Sequence, residues 1–196
     1  MDEPRSAVPS GAGILGGADL TARLERWVAD ARTDAAAAAR SRERWLRLQA
    51  DESATFSGVL VDLAERATPV LVQGRGGRKH RGTIAAVAAD FCALRTATGR
   101  DVLLAFTGIG SVRPDARGPG PVGDRVVHAE LGLAEMLSLL AADRPRVLIV
   151  TSADGDGLAG ELRSVGRDLV SLRLDGESRA SAYVAVSAIA ELSLVD

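Results

Sequence analysis

Asparagine is absent from this sequence, lysine occurs once, as Lys79, and cysteine once, as Cys92. A single cysteine excludes an internal disulfide and a multi-cysteine zinc site, and it predicts a reducing, cytoplasmic location. Aromatic residues make up only 3% of the 196 residues, which leaves few platforms on which bases could stack. A strong charge of either sign is lacking too: the formal net charge is −2, so any electrostatic binding has to be local. No apolar run reaches the roughly 18 residues of a membrane span, and the first residues carry acids where a signal peptide carries bases. The expectation is a soluble, unexported chain that does not engage a membrane. Arginine in place of lysine, the missing asparagine and abundant alanine, glycine and valine suggest a GC-rich bacterial genome.

Catalytic constellations are also missing. His80 and His128 are the only histidines, far apart and without a companion acid or nucleophile pattern. Asp154-Gly155-Asp156-Gly157 begins like a calcium loop, but the remaining ligands do not follow, so it reads as a turn. Gly74-Arg75-Gly76-Gly77 lacks both the Walker spacing and a following helix. No catalytic residue, cofactor, metal or small-molecule substrate is expected, and the chain reads as a non-enzyme.

What is present is a duplication. Residues 1–18 are Pro, Gly and small residues without periodicity, the composition of a disordered segment. Helix formers follow over 19–50, with Asp19 as the expected N-cap. Trp27 and Trp45 are 18 residues apart, five full turns, and so share one helix side, with core packing as their expected role. Downstream, Phe56, Val59, Leu60, Leu63 and Ala64 match Leu133, Met136, Leu137, Leu140 and Ala141 at a constant offset of 77, both sets at helical spacing. Val70-Leu71-Val72 matches Val147-Leu148-Ile149 at the same offset, each just after a helix-ending proline.

Beyond a glycine-rich loop, Gly82, Ile84, Val87 and Asp90 match Gly160, Leu162, Val165 and Asp168. Ile109 and Val112 then match Ile189 and Leu192. Within the first copy, short β-rich runs at 70–73, 82–88, 91–97, 101–106 and 109–113 follow at hairpin spacing. A glycine in the second run suits a sharply bent strand. The expected organisation is a first repeat over 51–113, a Pro/Gly linker over 114–124 and a second repeat over 125–196.

The order helix, strand, Gly-x-apolar-x-x-apolar-x-x-Asp, then an apolar strand pair ending in Ile-x-x-Val resembles the Sm-like fold, the bent small barrel of RNA-associated ring proteins. With its long N-terminal helix, the whole sequence also looks like an uncharacterised actinobacterial family. The resemblance implies an α+β chain of two tandem helix-plus-five-stranded Sm-like barrels preceded by a long helix. The family's RNA pocket does not carry over: its Asp-apolar-Asn motif reads Asp90-Phe91-Cys92 and Asp168-Leu169-Val170 here, and its Arg-Gly position is absent.

Among single positions, Cys92 aligns with Val170 and so reads as a packing residue rather than a nucleophile. Asp90 and Asp168 recur in a turn where an acid accepts backbone N–H groups. The best candidate binding element is the basic loop 74–82, in which Arg75, Arg78, Lys79, His80 and Arg81 surround glycines able to cradle phosphate. Its bland counterpart is a solvated hairpin. The equivalent loop of the second copy holds Asp154 and Asp156, so the two loops are also suited to face each other. Two functions follow as expectations. One is a binding or scaffolding protein that works through a protein partner or self-association, and the other is a nucleic-acid-associated regulator using the basic loop.

Overall fold

A computed structural model describes residues 17–115, 120–127, 129–153, 155–176 and 180–195. The expected disorder of 1–18 falls almost wholly outside these residues, as do His128 and Asp154. The chain divides after Gln49 into two compact units.

The first unit is formed by most of helix α1 (Gly17–Ser53), which starts two residues ahead of the expected cap at Asp19. Trp27 and Trp45 are 68% and 62% exposed, which corrects the expectation that they serve as core. The reason is visible in their helix side: between them it carries Asp34, Ala38 and Ser41, too little apolar area to form a continuous buried stripe.

In the second unit the end of α1 is followed by α2 (Phe56–Glu65), capped by the Thr55 hydroxyl, which accepts the Gly58 N–H at 3.0 Å. Its apolar face buries Leu60 and Leu63. Strands β1 (Pro69–Gly74), β2 (Lys79–Val87), β3 (Phe91–Thr96), β4 (Asp101–Ala105) and β5 (Ile109–Pro114) follow, close to where hairpin spacing puts them. The second copy repeats this series as α3 (Leu133–Ala141), β6 (Arg146–Thr151), β7 (Gly157–Val165), β8 (Leu169–Leu174), β9 (Ser181–Ala185) and β10 (Ile189–Leu194).

The repeat is exact enough to share its irregularities. Ile84 opposes Leu94 and Leu162 opposes Leu172, all four are buried, and in both strands the register slips immediately afterwards. Gly82 opposes Thr96 and Gly160 opposes Leu174, where a Cβ on either glycine would fall on the carbonyl of Arg95 or Arg173. Only glycine permits that approach.

The two-barrel expectation is overturned. The strands form one ten-stranded antiparallel open sheet in the order β5-β1-β2-β3-β4-β10-β6-β7-β8-β9. Neither set of five closes, because β5 pairs with β1 and lies at the opposite end of its set from β4. β4 instead pairs with β10 of the other copy, Leu104 opposite Glu191, Leu103 opposite Leu192 and Val102 opposite Ser193. Alternating hydrophobicity fixes which residues face inward, but it does not say which strand lies beside an edge. The N–H and C=O groups that edge strands leave unpaired are satisfied here by joining the two copies.

The connection between the copies is not a loose linker where it is described. Val122 N–H donates to Asp62 Oδ2 at 3.3 Å, Thr55 N–H to the Gly123 carbonyl at 2.9 Å and Ala89 N–H to the Leu131 carbonyl at 3.2 Å. It therefore runs against α2 and then to the turn before β3.

Candidate functional site

The junction of β4 and β10 is the most elaborated place in the molecule. Two buried clusters meet there. One holds Leu60, Leu63, Ile84, Cys92 and Leu94 of the first copy. The other joins second-copy residues such as Leu133 and Leu137 to Ala88, Phe91 and Ala105 of the first copy. Leu103 packs against this cluster as well, so the first copy completes the second copy's core.

Two polar devices fasten the same seam. Asp90 Oδ1 accepts the Leu133 N–H at 2.7 Å, capping the first turn of α3, while Glu135 Oε2 accepts the Gly132 N–H at 2.9 Å. On the same seam, opposite Leu104, Glu191 is 5% exposed. Its Oε1 accepts Arg78 Nε–H at 2.7 Å and its Oε2 accepts His80 Nε2–H at 2.7 Å. A buried carboxylate is tolerable only with such partners. The turns above it touch backbone to backbone, with Gly76 against Gly155.

The basic segment is thus arranged differently from a flexible phosphate cradle. Lys79, His80 and Arg81 lie in β2, held by the pairing of Gln73 with Lys79, and the turn shrinks to residues 75–78. Arg78 and His80 face Glu191, whereas Arg75, Lys79 and Arg81 stand exposed. Arg81 also lines a cleft of about 390 Å³ together with Arg95 and Arg113. Arg95 is engaged in a two-pronged pair with Asp101, at 2.9 and 2.8 Å, which holds the Asp101 carboxyl below its usual range. Arg113 donates to Gln73 Oε1 at 3.3 Å.

Glu191 is the participant that sequence reasoning missed. Its place in β10, IAELSL, reads as a solvent-facing acid, and no local signal announces that another repeat covers it. Cys92, in contrast, is fully buried among apolar residues, and burial pushes its thiol pKa up to about 12, as a packing residue requires.

Among the described residues, the sheet ends at β5 and β9, each paired on one side only. Tyr183 on β9 is 71% exposed, and Leu169 at the start of β8 is 41% exposed. On α1, Leu20, Leu24, Leu46 and Leu48 are exposed along with the two tryptophans. Among the described residues, no three His, Cys, Asp or Glu side chains stand together as a metal-binding group would. No helix among them is long and apolar enough to cross a membrane. The chain matches no family model, no curated protein and no solved structure.

Proposed function

We propose that this chain is a non-enzymatic scaffold that works through protein–protein contacts and self-association. The observation that carries the reading is the pair of sheet edges, β5 and β9, which among the described residues lack a second neighbouring strand, with the exposed Tyr183 standing on β9 itself. The exposed leucines and tryptophans of α1 offer a second contact surface of the same kind. The lone buried cysteine suits a cytoplasmic setting.

Light scattering of the full chain over a range of concentrations tests the reading. A mass above the 20.3 kDa of one chain, falling on dilution, is expected; a species of one chain's mass at every concentration overturns it.

A second reading, association with RNA or DNA, is favoured by one observation: Arg75, Lys79 and Arg81 stay exposed after Arg78 and His80 turn to Glu191. Mobility shifts with RNA and duplex DNA at low and moderate salt test it. A shift that survives in a chain carrying Arg75→Ala, Lys79→Ala and Arg81→Ala removes this surface from consideration.

A further inference from the structure

We propose that copies of this chain add head to tail, β9 of one chain pairing antiparallel with β5 of the next in the register that β4 and β10 use within the chain. This identifies the partner of the scaffold reading and rests on it.

Each seam residue has a counterpart at a free edge. On the donating side, Phe91 is 3% exposed and its counterpart Leu169 is 41% exposed. Leu103 packs into the second core, and its counterpart Tyr183 is 71% exposed. On the receiving side, Leu133 is 3% exposed and its counterpart Phe56 is 44% exposed. In each pair the chemistry is kept and only the cover is missing. The two free edges are therefore the unmated halves of a junction that the molecule already contains once.

The internal register transfers directly. Leu104, Leu103 and Val102 face Glu191, Leu192 and Ser193, so Val184, Tyr183 and Ala182 of one chain face Ser111, Val112 and Arg113 of the next. Asp168, the counterpart of Asp90, is exposed and takes the Phe56 N–H of the next chain. The Thr55 hydroxyl does not compete, because it accepts from Gly58. Around the turns, Asp156 comes to face the basic turn at Arg75 and Lys79, giving charge complementarity that salt weakens.

One element is not repeated. The positions of Glu191 and His80 are filled by Ser111 and Leu158, so the junction between chains lacks the buried ion cluster. A contact of this unlike-edge kind leaves an open edge at each end and continues into a ring or a filament.

Cysteine pairing across the predicted register is the test. Residues directly opposite in an antiparallel pair have Cα atoms about 4.5–5.5 Å apart, within disulfide reach. Chains carrying Val112→Cys alone or Tyr183→Cys alone are mixed under a mild oxidant; Cys92 is buried and does not compete. A covalent dimer is expected in the mixture and in neither variant by itself, and a ladder of multimers in the double variant. Dimers of either single variant alone would mean like edges meet, which overturns the proposal.

A second measurement uses Tyr183→Asp, an exposed position where folding is checked by circular dichroism. Self-association is expected to weaken by about tenfold or more, since a charge is placed opposite an apolar partner. If association persists unchanged in that variant and no cross-link forms, the edge proposal fails while the scaffold reading stands on another surface. A chain that is monomeric at all concentrations sinks both.

Discussion

Asp90 and Leu133 join the two repeats end to end: a carboxylate that closes one strand pair caps the helix that opens the next copy, Oδ1 to N at 2.7 Å. Asp90→Ala removes this cap and is expected to cost about 1 kcal/mol, the usual loss for a capping residue. Asp168→Ala is expected to leave the stability of a dilute chain nearly unchanged and to weaken association instead. Urea unfolding at low protein concentration, beside light scattering at high concentration, separates the two.

Glu191→Ala takes away the buried carboxylate that Arg78 and the largely covered His80 donate to. A loss of roughly 2–4 kcal/mol is expected, because breaking a buried pair costs more than the pair contributes. Denaturant unfolding measures it. Ser111→Ala, at the counterpart position on the free edge, is expected to fall within about 0.5 kcal/mol of the parent, as surface changes do.

Burial raises the Cys92 thiol to about 12, so the folded chain keeps its proton while an unfolded chain releases it from about pH 9 upward. Stability is therefore expected to decline as pH climbs through that window, and Cys92→Val, the residue of the other copy, removes this part of the decline. A thiol reagent at pH 8 should label the chain only after denaturant is added.

Gly82→Ala and Gly160→Ala drive a methyl group into the backbone of the neighbouring strand. Each is expected to destabilise by about 1–3 kcal/mol or more, the range of overpacking, and by similar amounts, since the two sites are equivalent. Paired unfolding curves check both the size and the likeness.

Much of this was legible in the sequence because it is local. The i, i+3, i+4 spacing of Leu60 and Leu63 announced a buried helix face, and the turn residues delimited β1 to β5. The matching of Ile84 with Leu162 announced that both sit in equivalent interiors. Cys92 was readable as packing from its alignment with Val170.

What was not legible depends on neighbours supplied by the other copy. Asp90 accepts a backbone N–H, as its turn position suggested, but from a helix 43 residues away. The joining of β4 to β10 leaves no mark in either strand, and so the closed barrels expected from each repeat gave way to one continuous sheet. Arg78 and His80 read as part of a phosphate-binding loop or a solvated hairpin for the same reason, since their partner lies 111 residues from His80.

The shared core makes the halves of this chain mutually dependent. Cleaved within the segment between β5 and α3, the C-terminal piece is left with a hollow where Ala88, Phe91 and Ala105 had sat. The N-terminal piece then bares those same side chains to water. Neither fragment has reason to persist alone, yet each carries the shape the other lacks, so two separately expressed fragments should regain a native fold only when mixed.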